Sequence, residues 1–182
     1  MEFERTAIPD VILIRPRVFG DARGYFLESW ERRKFAEAGI TAEFVQDNHS
    51  RSARHVLRGL HYQIRQAQGK LVRVVTGSVF DVVVDVRRSS PTFGKWLGFE
   101  LSEHNHAMLW VPPGLAHGFL VLSEHADFLY RCTDFYAPAH ERTILWNDPE
   151  IGVKWPLPVG VEPILAAKDA AGARWREAEC YP

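Results

Sequence analysis

Apolar and polar positions change their rhythm along the chain. Residues 30–38 combine good helix formers, with Ser29 available as N-cap and Gly39 placed as a C-terminal stop, so a short helix is predicted there. From Leu71 onward the texture becomes short β-branched and aromatic runs broken by turn residues: 71–76, 79–86, 96–101, 107–111, 118–122, 128–136 and 143–146. The first two are separated by Gly77-Ser78, which reads as a hairpin turn. Runs this closely spaced, with no helical pattern between them, argue against parallel βαβ units and for an antiparallel sandwich or closed barrel. After Pro156 the prolines predict irregular chain crossing the barrel, with a helical piece around 166–171.

Composition narrows the function classes. At 182 residues the chain suits one domain, spanning 1–182. Its formal net charge is −1, from 22 Lys plus Arg against 23 Asp plus Glu, which provides no bulk field for nucleic acid or an anionic membrane. Any anion site must be local. The two cysteines, Cys132 and Cys180, imply no disulfide framework. The N-terminus lacks a secretory pattern and no run approaches the ~18 apolar residues of a membrane span, so the expected location is the cytoplasm.

A jelly-roll barrel raises the question of a metal on histidines, as in the cupin class. His104 and His106 after Gly98 resemble the first half of a cupin metal pattern, and residues 112–117, ending in His117, part of the second. Trp110 and Val111 stand where the pattern needs a carboxylate, and Val121 where it needs an asparagine, so the ligand set is incomplete. The reading is therefore of no metal, with His104 and His106 as turn residues.

The densest polar chemistry lies earlier, in Gln46-Asp47-Asn48, then Arg58 and His61, then Lys70. Cations flanking a histidine in strand-like sequence suit an anionic, carbonyl-bearing ligand; a core histidine between surface cations is the plainer alternative. In 128–132 the even positions share one face, so Tyr130 points with Phe128 and Cys132 toward the barrel interior, as a core aromatic or a reactive phenol.

These blocks together resemble the dTDP-4-dehydrorhamnose 3,5-epimerase family. The similarity is carried by residues 19–28, Gln46-Asp47-Asn48, Arg58-Gly59-Leu60-His61-Tyr62-Gln63, Gly69-Lys70-Leu71-Val72-Arg73, 111–119, 130–136 and Lys168-Asp169, in order from about Ile8 to Asp169. The resemblance implies a mainly β, cupin-type jelly-roll barrel with a few short helices. It implies a cofactor-free, metal-independent isomerase that inverts C3 and C5 of dTDP-4-dehydro-6-deoxy-D-glucose through enolates, in dTDP-L-rhamnose and polysaccharide biosynthesis. In that reading His61 is the base, Asp169 its carboxylate partner, Lys70 the enolate stabiliser and Tyr130 the acid. Arg23 and Arg58 hold the diphosphate; Glu28, Gln46 and Asn48 lie at positions that read the nucleoside, with Asp47 beside them as a substrate-binding position; Tyr136 stacks on thymine. His117, Glu141 and Lys168 are further ligand contacts. A homodimer is implied, with the segment bearing Arg23 and Glu28 completing the partner's site. Arg54-His55 stands where the family commonly has a small residue, often glycine, and Ala166-Ala167 where a hydroxyl and an acid are more usual. A mono-epimerase at C3 or C5, a non-catalytic sugar-binding cupin and a metal-dependent oxygenase are the alternatives.

Overall fold

The computed structural model describes residues 1–182. Its strands are β1 (Glu2–Arg5), β2 (Ile12–Arg15), β3 (Val18–Asp21), β4 (Gly24–Leu27), β5 (Gln46–Ala53), β6 (Leu57–Gln63), β7 (Lys70–Thr76), β8 (Ser78–Asp85), β9 (Trp96–Ser102), β10 (Met108–Val111), β11 (Leu115–Val121), β12 (His125–Cys132) and β13 (Glu141–Thr143). Two α-helices join them, α1 (Arg32–Glu37) and α2 (Ala167–Ala170). One sheet runs β1-β2-β10-β7-β12-β5, the other β13-β6-β11-β8-β9, and β3-β4 form a separate ribbon. Every ladder between these strands is antiparallel. The result is a mainly β, cupin-like jelly roll.

The main core lies between the sheets, where Val72, Val74 and Phe128 of the first meet Val79, Val83 and Phe119 of the second. Both outer faces are also partly covered. The irregular C-terminal chain lays Trp155, Trp175 and Ala178 over Val82, Val84 and Leu60, so β8 is apolar on both faces for most of its length. On the other side α1 seats Phe35 against Ile12, Leu71 and Trp110. At six residues α1 is too short to persist alone, and burying Phe35, worth about 1.5–3 kcal/mol, holds it in place. No helix is long and apolar enough to cross a membrane.

Three local expectations change. Gly77-Ser78 is not a hairpin: β7 pairs with β10 and β12, whereas β8 pairs with β11 and β9, so the chain turns a corner there from one sheet to the other. Gly77 has φ +75°, and a Cβ would lie 2.1 Å from the His125 carbonyl oxygen, which only glycine accommodates. The cap of α1 is Glu31, not Ser29; its carboxylate accepts from the backbone N–H groups of Arg33 and Lys34. The third is an omission, since five strands, β1 to β5, precede the strand-like segment that carries Arg58 and His61.

Arg54-His55 and Ala166-Ala167, the two segments that depart from the resemblance, both sit at constrained backbone positions. His55 adopts φ +65°, the left-handed region where a non-glycine side chain is strained. His55→Gly is expected to raise stability by up to about 1 kcal/mol, measured as a higher urea midpoint at unchanged slope. Ala166 is the N-cap of α2 and offers no side-chain acceptor, so the missing hydroxyl leaves that helix start uncapped.

Candidate active site

Strand β6 lies between β11 and β13, which sets His61 opposite His117 on one side and Thr143 on the other. The His61 side chain is partly open to a cleft, and its Nε2 lies 2.5 Å from Asp169 Oδ1. Asp169 is delivered by α2 from 108 residues away and is almost fully buried. Burial pushes its pKa up, but the hydrogen bond and charge of His61, the Gly59 N–H and the Lys168 charge outweigh this and hold it below the usual carboxylate value. An ionised Asp169 selects the His61 tautomer with the proton on Nε2, leaving Nδ1 as the lone-pair nitrogen.

The facing wall comes from the other sheet. Tyr130 on β12 stands between Asn48 of β5 and Val72 of β7, and Lys70 of β7 pairs with Cys132. His61, Asp169, Tyr130 and Lys70 all line one cleft of about 350 Å³. Base-type and acid-type groups thus occupy opposite walls of the barrel. Burial raises the Tyr130 pKa, with nearby Cys132 adding to it, so the phenol stays protonated at neutral pH. Burial lowers that of Lys70, opposed by Cys132, Glu141 and Asp81.

Other expected residues join them. Arg58 Nε donates to Ser52 Oγ at 3.1 Å, fixing the guanidinium at the cleft. Gln46 Nε2 donates to Asn48 Oδ1 at 3.0 Å, and Gln46 Oε1 accepts from the Tyr136 backbone N–H at 3.1 Å. Glu141 accepts from the Tyr136 hydroxyl at 3.3 Å and from Lys168 Nζ at 2.9 Å, closing a polar rim. His117 is buried in the cleft wall with Nε2 2.9 Å from Asp81, while His104 and His106 lie in the turn after β9, His106 against Tyr25. The three histidines of the partial metal pattern therefore do not converge, and no three His, Cys, Asp or Glu side chains cluster as a ligand set.

Three expected residues lie outside this chain's cleft. Asp47 points to the opposite face of β5, 3.4 Å from Arg131, because its neighbours Gln46 and Asn48 take the inward positions. Arg23, 90% exposed, pairs with Asp21 at the tip of the β3-β4 ribbon, and Glu28 bonds to Lys34 at 2.6 Å. The ribbon pairs with no other strand of its own chain, so nothing folds these two residues inward.

Asp81 and Ser52 were missed. Asp81 had a signal: a carboxylate at an inward register between Val79 and Val83 must have a buried partner. Its pKa is raised by burial, against the pull of His117 and Lys70. Ser52 had none, as a serine in a polar strand is unremarkable.

Known proteins share both sequence and shape. The family described as dTDP-4-dehydrorhamnose 3,5-epimerase matches residues 5–177. The dTDP-4-dehydrorhamnose 3,5-epimerase of Pseudomonas aeruginosa is 62% identical over 183 residues, covering 100% of both chains. That of Salmonella typhimurium is 56% identical over 169 residues, covering 92% of this chain and 91% of its own. The crystal structure of dTDP-6-deoxy-D-glucose-3,5-epimerase from Legionella pneumophila with dTDP-4-keto-L-rhamnose superposes with a TM-score of 0.94 at 49% identity, covering 98% of this chain and 94% of that one. With a family match over nearly its whole length and relatives of this identity, the chain belongs to the dTDP-4-dehydrorhamnose 3,5-epimerase family.

Proposed function

We propose that this protein epimerises C3 and C5 of dTDP-4-dehydro-6-deoxy-D-glucose, giving dTDP-4-dehydro-L-rhamnose for dTDP-L-rhamnose biosynthesis. The observation that carries the reading is the pairing of His61 with an ionised Asp169 across a cleft from Tyr130 and Lys70. The C4 ketone acidifies the protons on both neighbouring carbons, so one base, one acid and one oxyanion partner suffice for both inversions.

His61 Nδ1 takes the proton from C5, and the C–H electron pair moves through the new C4–C5 double bond onto the C4 oxygen. The Lys70 ammonium stabilises that enolate. Tyr130 then gives its hydroxyl proton to the opposite face of C5, the ketone re-forms, and the phenolate and imidazolium reset through solvent. The same sequence repeats at C3. Asp169 offsets the imidazolium charge. All roles are filled by side chains, so the reading assigns no cofactor.

Arg58 binds the diphosphate, Gln46 and Asn48 the nucleoside, and Tyr136 stacks on the base; His117, Glu141 and Lys168 complete the contacts. Arg23 and Glu28 act only in a homodimer, entering the partner's cleft with the β3-β4 ribbon, whereas Asp47, turned toward Arg131, has no ligand contact inside this chain's cleft. The exposure of Phe19 (50%), Tyr25 (59%) and Phe26 (69%) on that ribbon supports this, as bulky apolar side chains gain by being covered. Residues 1–182 act as one domain, in the cytoplasm where nucleotide sugars are made.

Incubation with dTDP-4-keto-6-deoxyglucose in heavy water tests the reading. Deuterium is expected at both C3 and C5 by NMR. Exchange at neither carbon would rule out this activity, and exchange at one alone would make the protein a mono-epimerase.

A further inference from the structure

Gln63 closes β6 two residues after His61, on the same face, and is 5% exposed. Its side-chain amide is fully used. Oε1 accepts from the Ala137 backbone N–H at 2.9 Å, while Nε2 donates to the Phe135 carbonyl at 3.3 Å and to the Gln66 carbonyl at 2.6 Å. Two of these bonds fall on the residues immediately before and after Tyr136. That segment lies outside both sheets and has no strand partner of its own. The amide therefore stands in for a ladder partner, offering one acceptor and one donor to the backbone on either side of the aromatic ring. Tyr136 itself is 52% exposed and has only two further ties, its N–H to Gln46 and its hydroxyl to Glu141.

Gln63 is itself held firmly. Its backbone carbonyl accepts from the Tyr181 hydroxyl, and Tyr62 beside it donates to the Glu179 carbonyl, so the C-terminal segment clips this end of β6 from behind. The strand that carries His61 is thus tied through one buried amide to the loop that carries the exposed Tyr136 of the same cleft.

We propose that Gln63 is a positioning residue for the nucleotide end of the site: it presets the Phe135–Ala137 backbone so that Tyr136 offers its ring to a nucleobase without first having to be ordered. The inference rests on Tyr136 being the base-stacking aromatic. Chemistry explains why glutamine stands here. Leucine keeps the volume but leaves a buried N–H and carbonyls unpaired, and a glutamate carboxylate accepts from Ala137 but faces two carbonyl oxygens with no donor.

The test is a cycle of calorimetric dTDP titrations with wild type, Q63L, Y136A and the double variant, alongside steady-state kinetics. Q63L is expected to weaken dTDP binding by about tenfold, from lost preorganisation and unpaired backbone groups. KM should rise in step while kcat at saturation stays within about threefold, because the loop acts on binding and not on proton transfer. In the Y136A background Q63L should add less than about twofold, since there is no ring left to position. Wild-type dTDP affinity in Q63L overturns the proposal, as does an undiminished loss in the Y136A background or a fall in kcat at constant KM. If Y136A alone binds dTDP as well as wild type, the stacking role of Tyr136 fails and this inference with it. Should Q63L not fold, Q63E runs through the same cycle, and wild-type affinity in Q63E is equally decisive against it.

Discussion

His61→Ala should lower turnover by between about 10²- and 10⁴-fold and remove deuterium exchange at both carbons, while dTDP binding stays close to that of wild type. Alanine removes the only imidazole paired with Asp169, and the carboxylate left behind is buried too deeply to reach the sugar as a substitute base. His117, opposite on β11, cannot take over easily, because its Nε2 is committed to buried Asp81. A base loss affects every subsequent step, so exchange and product formation fall together. Nucleotide affinity, assigned in the proposed reading to Tyr136 and Arg58, serves as the control. Exchange retained at either carbon would remove His61 from the base role.

Tyr130→Phe gives the opposite signature. It deletes one hydroxyl and leaves the packing against Phe128 in place, so the fold and the His61–Asp169 pair are undisturbed. Enolate formation needs no acid, and deuterium still enters from the His61 side. Product inversion needs a proton on the far face and should fall by about 10²-fold or more. The diagnostic is the ratio: epimerised product should drop further than deuterium wash-in at the same carbon. Equal losses would count against Tyr130 as the acid. Burial keeps the phenol pKa raised, so no Tyr130 titration is expected to limit the wild-type rate near neutrality.

How much could be read in advance follows from burial. Strands β8 and β11 are mostly buried and β12 is half buried with no fully exposed position, so their apolar runs stand out in the sequence. Strand β5, Gln-Asp-Asn-His-Ser-Arg-Ser-Ala, does not, because one face lines a polar cleft and the other meets solvent. Ribbon β3-β4 is exposed at every position but Leu27, so it has no buried face to impose a strand periodicity either. The Gly77-Ser78 error has the same root. A glycine-containing turn between apolar runs predicts a change of direction, but whether the second strand returns beside the first or crosses to the facing sheet depends on which distant strands offer free edges.

The sequence alone determined the mainly β class, the ordered family blocks and the residue types a carbonyl-acidified proton transfer requires. It also placed Tyr130 on the inward face of its strand, since alternation is a local property of extended backbone. Only the tertiary structure decided who meets whom. Asp169 reaches His61 across 108 residues and Asp81 reaches His117 across 36, and Asp47, between two inward neighbours, turns away. In an antiparallel barrel the site is assembled from strands far apart in the chain, and no local pattern records which of them become neighbours.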